Sequence, residues 1–567
     1  MAKIEGIRIS NYRGFREFEC HFGETNFICL IGRGDSGKST ILDSIDKALS
    51  SKWNLVFHDT DFHNGNLEKP IELEVSVYNV PEELLLDEKF GLYIRFLAKT
   101  GEILDDPLAK ETDGSTKLLT IRLSVDKSLE PKWCVISKRP YQEDKEISSK
   151  DRAKLSIFSI TDYVDRHFSW SKGNPLYSLV PKNAGQGADE RPLLDALREA
   201  KRKIDNSDFS DLDEPLKKVI ATAKGFGIDI KDASTTIDFR DLTVNEGKVS
   251  LHSGSTPFRL KGKGSKRLIS LAIQSELTNN GGTILIDELE QGLEPDRAQH
   301  LAQSLKCNSN TQSIITTHSR DVIVELDATD IFRVKKGQGS LFRLDKQLQG
   351  VLRSNPEAFF CKSVIVCEGV TEVGLCRALN QSRISINKPN SAFLGVRFAD
   401  GHGSEMVEYA NAFNAAGYRT CLYCDSDEPN VQEKKTAVEA LGITVIDCEY
   451  GLSFEKQLFK DLEWQGIKKL LKYRIEELDQ QGVENSLQAV ENSLQAKCNI
   501  TLNDNWMDNE SIELRSAIGE VAGSKKWFKR VDHGEFAGKI CLIDENIPSS
   551  TGFGKILSKL SSWIDND

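Results

Sequence analysis

No stretch of this 567-residue chain is apolar for long enough to cross a bilayer. Its first residues, MAKIEGIRISNYRGF, lack the apolar centre of a signal peptide. Both absences point to a cytoplasmic protein with no membrane partner. Disulfide-framework spacing is missing too. The 12 cysteines are scattered, which in a long chain without a signal suits reduced thiols. Cys421 and Cys424 do fit CxxC, but TCLYCD reads as a buried strand, where residues three apart face opposite ways. With no second pair nearby, core thiols are favoured over a zinc or redox role. Positive charge is also short: the net charge of −12 excludes a whole-protein basic field for nucleic acid, though not a local basic groove.

What remains is globular in character. Hydrophobic residues make up 39% and charged residues 28%, which sets aside disordered and fibrous classes. The length exceeds what one core serves, so two or three domains are expected.

Residues 4–9 and 27–31 (FICLI) run apolar, and the second run leads directly into a glycine-rich loop. Behind it, STILDSIDKAL carries apolar residues at helical spacing: Ile41, Leu42, Ile45 and Leu49. Strand, loop and helix in this order are the context of a phosphate loop. Residues 32–39 read GRGDSGKS, matching GxxxxGKS. Backbone N–H groups around Gly32, Gly34, Asp35, Ser36 and Gly37 can converge on phosphates at the helix start, with Thr40 following. Lys38 would neutralise the β and γ phosphates, and Ser39 would ligate Mg²⁺. The expected cofactor is therefore ATP with one Mg²⁺.

Residues 283–288 form an apolar strand ending in Asp287 and Glu288. Asp287 is placed to hold Mg²⁺ and Glu288 to orient the attacking water. A strand ending in a solvated acidic turn would explain this pair alone, but less well beside a phosphate loop. Residues 314–318 form another apolar strand, ending in His318, which could contact the γ-phosphate. His58 and its neighbours through Phe62 could also sit near the nucleotide. Residues 71–138 read as short strands and turns. Residues 150–235 read as helical and charged, an insertion suited to dimerisation, regulation or packing.

The phosphate loop, the late strand ending in Asp287 and Glu288, the GLEPD that follows and the strand-end His318 resemble ABC-type ATPases related to SMC proteins. The resemblance implies that LKGKGSKRL, residues 260–268, fills the signature slot, with Gly264 and Ser265 facing a nucleotide held by another subunit. A homodimer or higher homo-oligomer, a tetramer included, is implied with it. The segment departs from LSGGQ, and no glutamine loop is evident. Without transmembrane segments or a long coiled coil, a transporter and a chromosome-bridging protein are both disfavoured.

A second α/β unit starts near Ser363. SVIVCEG ends a strand in Glu368, with Glu372 expected one helical turn on, stacked beside it. TCLYC ends in Asp425, Ser426 and Asp427, and residues 443–447 are followed by Ser453, Phe454 and Glu455. In a parallel sheet these strand ends share one edge, where ligands bind. Packed carboxylates repel unless cations neutralise them, and hard oxygen ligands suit Mg²⁺ or Mn²⁺. Metal ligation by Glu368, Glu372, Asp425, Asp427, Ser453 and Glu455 is expected, and two ions there could cleave a phosphodiester.

This ordered set resembles a TOPRIM domain. An ATPase followed by TOPRIM resembles the OLD (overcoming lysogenization defect) family of ATP-dependent endonucleases, which includes Gabija-type and retron-associated nucleases. The resemblance implies a nuclease-site lysine, with Lys529 first and Lys555 second. It implies catalytic roles for Glu368, Asp425, Asp427 and Lys529, beside Glu288 in the ATPase. Partners implied are DNA and either a UvrD-like helicase or a retron reverse transcriptase with its DNA.

Lys525, Lys526, Lys529 and Arg530, interleaved with Trp527 and Phe528, could grip a DNA backbone, or could be an ordinary amphipathic segment. No tyrosine follows a topoisomerase pattern. A tandem VENSLQA over residues 483–496 reads as a helical surface insertion without chemistry.

The expected fold class is α/β: an ABC/SMC-like ATPase with a helical insertion, then a C-terminal TOPRIM domain. The expected boundaries are residues 1–145 and 237–350 for the ATPase, 146–236 for the insertion, and 351–567 for TOPRIM. The expected function is an ATP-regulated, metal-dependent DNA endonuclease in anti-phage defence. An ATP-dependent DNA-binding or repair clamp with an inactive TOPRIM domain is the alternative, and a primase accessory the third reading.

Overall fold

A run such as FICLI, with apolar residues on both faces, suits a strand covered on both sides. In the computed structural model it is the Phe27–Ile31 strand, and every residue of it is buried. The structure describes residues 2–106, 114–160, 165–168, 174–179, 199, 202–203, 251–278, 281–427, 431–503, 505–542 and 546–566. They fall into two compact units. One comprises Met1–Ser159 with Gly281–Asp567, and the other Ile160–Asn280.

Two sheets build the part of the first unit expected to be the ATPase. Phe27–Ile31 lies parallel between Thr311–Thr316 and Ile331–Val334, and Gly282–Ile286 flanks Thr311–Thr316, also parallel. Leu341–Arg343 closes one edge antiparallel, and Ile157–Ile160 stands at the other. Parallel pairing puts the ends of three chemistry-bearing strands, at Ile31, Ile286 and Thr316, on one edge of the sheet.

The second sheet has eight strands and is antiparallel. Its centre is the pair Ile71–Tyr78 and Thr116–Val125, eight and ten residues long, while the expected short strands, Arg95–Leu97 and Ile103–Leu104, and turns lie between them. Ile71, Leu73, Val75 and Val77 all face the core, as do Leu119, Ile121, Leu123 and Val125.

The part expected to be TOPRIM is a four-stranded parallel sheet in the order Val396–Asp400, Ser363–Cys367, Arg419–Cys424, Thr444–Asp447. Helices cover it on both sides, so Cys421 and Cys424 are both fully buried free thiols although they face opposite ways. TOPRIM is joined to the ATPase sheet by a buried guanidinium. Arg333 donates to the Ala416 carbonyl at 3.1 Å and stacks 3.7 Å from the Tyr418 ring centroid.

Three expectations need correction. SIFSI is not helical: Ile157–Ile160 is a strand, because its apolar residues complete a sheet edge. The rest of the proposed helical insertion lies largely outside the described residues. The tandem repeat does form one helix, Ser486–Cys498, but it is not merely superficial. Val490 and Leu494 enter the TOPRIM core, whereas Leu487, the equivalent of Leu494 in the first copy, is exposed. Lastly, Trp527 and Phe528 are buried, with Phe528 stacked on Phe459, so neither ring is free to receive a base.

In the second unit, the signature candidates open a helix. Lys263–Thr278 starts one residue after Gly262, so Gly264 and Ser265 occupy its first turn. Lys266 donates to Asp165 at 2.7 Å, and Ser270, buried on the same helix, contacts His167 at 2.5 Å. No described helix is long and apolar enough to cross a membrane.

Candidate functional site

The loop after Phe27–Ile31 bends through backbone conformations that few side chains tolerate. Gly32 has φ of +155° and Gly37 of +104°, and a Cβ on Gly37 would lie 2.4 Å from the Phe15 ring. Asp35 also takes a left-handed conformation. Such a turn aims N–H groups inward at the start of the Lys38–Ala48 helix.

Two features mark the cradle as waiting for an anion. Lys38, buried, curls back and donates to the Gly32 and Arg33 carbonyls, both at 3.0 Å. Burial lowers its pKa, against the pull of Asp287, Glu288 and Glu290. Ser36 Oγ is buried with no hydrogen-bond partner.

Ser39 and Asp287 meet although 248 residues separate them: Ser39 Oγ donates to Asp287 Oδ1 at 3.2 Å. Thr316 Oγ1 donates to the same oxygen at 2.6 Å and accepts from the Glu288 N–H at 2.8 Å. Glu290 holds the next strand end, accepting from Thr317 Oγ1 at 2.6 Å and from the His318 N–H at 2.7 Å. Burial and nearby Lys38 lower the His318 pKa, favouring neutral imidazole.

Sequence reasoning missed Thr316 and Glu290. The polar residues just before His318, and a third acid just after Asp287 and Glu288, were the available signal. The residues from His58 to Phe62 do something else: Asp61 accepts from the His58 N–H and pairs with Arg13 at 3.0 Å, and Phe62 is core.

The acidic set assembles around the ends of the TOPRIM strands. Glu368 accepts from the Asp425 N–H at 2.8 Å, and Asp425 accepts from the Phe454 N–H at 2.8 Å. Those two bonds tie three segments together. Glu372 is buried and accepts from the Gly369 N–H at 3.0 Å, capping the Val370–Ser385 helix. Glu368 lies just before the helix cap, and it is near enough to help raise the Glu372 pKa. Ser453 caps the Phe454–Asp461 helix and donates to Glu455 Oε2 at 3.3 Å. Asp427 is exposed.

Burial, then mutual repulsion, lifts the Asp425 pKa to about 9 and that of Glu372 to about 8. The surface residue Lys529 lies within electrostatic reach. Glu455, Glu372, Asp425 and Glu368 outweigh its partial burial and raise its pKa. Lys555, the second choice, is exposed on the Gly552–Asp565 helix.

Among the described residues, no three His, Cys, Asp or Glu side chains are gathered tightly enough to grip an ion. The expected ligands share one sheet end, but several are tied to backbone N–H groups there and are not turned toward a common centre. The donor set nonetheless fits a divalent cation. Glu455 Oε1 is buried with no hydrogen-bond partner, amid carboxylates that act together on the Lys529 ammonium.

Lys435 and Asp447 were not foreseen. Lys435, buried, donates to Ser426 Oγ at 2.5 Å and to Asp447 at 2.7 Å, fixing the turn between Asp425 and Asp427.

Comparison with known proteins matches both halves. Residues 27–325 match the family described as "AAA domain, putative AbiEii toxin, Type IV TA system". The chain belongs to this AAA ATPase family. Residues 359–427 match "Overcoming lysogenization defect protein-like, TOPRIM domain".

The AAA match spans the phosphate loop, Asp287, Glu288 and His318. The TOPRIM match includes Glu368, Glu372, Asp425 and Asp427, and ends before Ser453, Glu455 and Lys529. An AAA ATPase with an OLD-like TOPRIM domain is an enzyme by its domain content.

Among relatives, "Retron Ec83 probable ATPase" of Escherichia coli is 24% identical over 414 residues, covering 62% of this chain and 74% of the relative. "Retron Vc95 probable ATPase" of Vibrio cholerae serotype O1 biovar El Tor is 24% identical over 377 residues, covering 58% and 73%. Solved structures similar to the AAA ATPase include an SmcHead bound to the C-winged helix domain of ScpA (14% identity, TM-score 0.33, 60% of this chain and 95% of that one). Another is the recombination mediator RecF with ATP (13% identity, TM-score 0.32, 59% and 98%).

Proposed function

We propose that this AAA ATPase is an ATP-regulated, divalent-metal-dependent DNA endonuclease serving anti-phage defence in the cytoplasm. Glu455 carries the reading: a buried carboxylate oxygen without a partner, in a pocket of acids beside a lysine, is an arrangement that a cation completes. Glu368, Glu372, Asp425, Asp427, Ser453 and Glu455 would hold Mg²⁺ or Mn²⁺. The metal, two ions in this reading, would supply activated water and charge stabilisation at a phosphodiester. This chain's own contribution is to orient the carboxylates through the Asp425 and Phe454 N–H groups and to set the Lys529 ammonium near the scissile phosphate.

At the other site, Gly32, Gly34, Asp35, Ser36, Gly37, Lys38 and Thr40 would cradle ATP, with Ser39 and Asp287 holding one Mg²⁺. Glu288 would hold the attacking water, and His318 would face the γ-phosphate. Gly264 and Ser265 would close on nucleotide in a second copy, making the working form a homodimer or larger. The retron names of the relatives support a retron reverse transcriptase and its DNA as partner, over a UvrD-like helicase. Purified protein with Mn²⁺ should nick plasmid, and the Asp425→Ala, Asp427→Ala double variant should not. Equal cutting by that variant removes the proposal.

A further inference from the structure

Beside the phosphate loop lies a cavity of about 330 Å³ that shares Arg33 and His318 with the nucleotide site but extends to Arg320 and Arg397, which the functions above leave unused. At about 30 Å³ per water it holds far more than one ion, and it stands at the lower end of the ligand-pocket range. The ATPase supplies Arg33, His318 and Arg320, TOPRIM supplies Gly395 and Arg397, and Glu357 lies on the link between them. Arg33 is a phosphate-loop residue whose Nη1 would stand 2.4 Å from a Cβ on Gly395, so its side chain reaches from the loop to TOPRIM. Among the described residues, Arg33, Arg320 and Arg397 form no ion pair within the chain, and Glu357 is the only carboxylate in the lining. Three exposed guanidiniums lining one space form a local positive patch in a chain of net charge −12, and such a patch attracts anions. Guanidinium forks match phosphate oxygens in pairs.

We propose that this cavity is a second phosphoanion site, which takes inorganic phosphate, pyrophosphate or the phosphate tail of a free nucleotide and bridges the ATPase to TOPRIM. Because Arg33 belongs both to the phosphate loop and to the cavity, occupancy of one site shifts the other. The proposal does not depend on nuclease activity.

The test is calorimetric titration of pyrophosphate into the full chain already saturated with a non-hydrolysable ATP analogue and Mg²⁺. One pyrophosphate should bind per chain. The Arg320→Ala, Arg397→Ala double variant should bind it at least tenfold more weakly while holding the analogue as before. Glu357→Gln, which removes the one opposing charge, should bind pyrophosphate severalfold more tightly, a gain that misfolding cannot produce. Parallel titrations with phosphate and with ADP separate the sources: ADP tighter than pyrophosphate assigns a nucleotide tail, and the reverse assigns a free phosphoanion. No binding to the analogue-loaded chain, or an affinity that neither variant moves, overturns the site. Loss of analogue binding itself would instead count against the ATP reading of the phosphate loop.

Discussion

Replacing Gly374 with alanine asks how closely the C-terminal helix must press on TOPRIM. Gly374 lies on the Val370–Ser385 helix, facing the Val531–Leu542 helix. A Cβ there would stand 2.3 Å from the Val531 carbonyl oxygen and 2.6 Å from the Glu535 nitrogen. Gly534 opposes it, with a Cβ that would stand 2.3 Å from the Thr371 carbonyl oxygen. Close carbon–oxygen contacts sit near about 3.3 Å, so the helices must part by roughly 1 Å. Overpacking of this kind costs about 1–3 kcal/mol. Alanine in an exposed helix would instead gain about 0.5–1 kcal/mol over glycine, so the sign of the change is itself informative.

The same displacement reaches the proposed nuclease site. Thr371 Oγ1 donates to the Phe528 carbonyl at 2.9 Å, and Lys529 follows directly. A lysine moved by about 1 Å from its carboxylates can cost on the order of 10²-fold in rate. Gly374→Ala should therefore melt several degrees lower and nick plasmid far more slowly, while binding ATP analogue normally. A variant that melts at or above the wild-type temperature and cuts at the wild-type rate refutes the packing argument.

Lys38→Ala should still cut with Mn²⁺ but lose its response to ATP. Wild-type behaviour at every ATP level, in a nicking assay, would show that the loop is no sensor. Mn²⁺ should raise the wild-type melting temperature after EDTA treatment, and Asp425→Asn with Glu455→Gln should abolish that rise; an undiminished rise in a thermal-shift assay would place the ion elsewhere. At the C-terminus, buried Arg383 donates to Asp565 at 2.6 Å, and with Lys388 it holds that carboxyl down at about 2. A depressed carboxylate stabilises above its unfolded pKa near 3.8 and ceases to as pH falls toward 2. Asp565 is about one-third exposed, so the shift is discounted for solvent, and Asp565→Asn should cost about 1 kcal/mol at pH 7. Urea melts should show that difference shrinking between pH 4 and pH 2 as Asp565 itself protonates, and a pH-independent difference would contradict it.

Sequence spacing was enough wherever the chemistry is local. Eight consecutive residues, 32–39, define the phosphate loop because a strand, a glycine turn and a helix start need no distant partner to be recognised. Strand ends at Asp287, His318, Glu368 and Asp425 were legible for the same reason, since an apolar run that stops at a polar residue marks where a buried strand reaches the surface. Burial of the repeated heptad was not legible. Leu487 and Leu494 have identical neighbours within VENSLQA, and only packing puts the second inside.

Nor did the sequence single out Glu290 or Lys435, whose tasks exist only once the residues they bind, 27 and 12 positions away, are folded beside them. Which of Lys529 and Lys555 comes within electrostatic reach of the carboxylates was likewise tertiary. Both are ordinary lysines in sequence, and it is the glycine seam at Gly374 and Gly534 that lets one helix approach and brings the first toward the carboxylates. The sequence alone determined which chemical groups this protein carries and on which strand ends. Their mutual distances, and hence the raised pKa values of Glu372 and Asp425 and the unpartnered oxygen of Glu455, were decided by tertiary structure, because Coulomb repulsion and desolvation depend on separation in space and not along the chain.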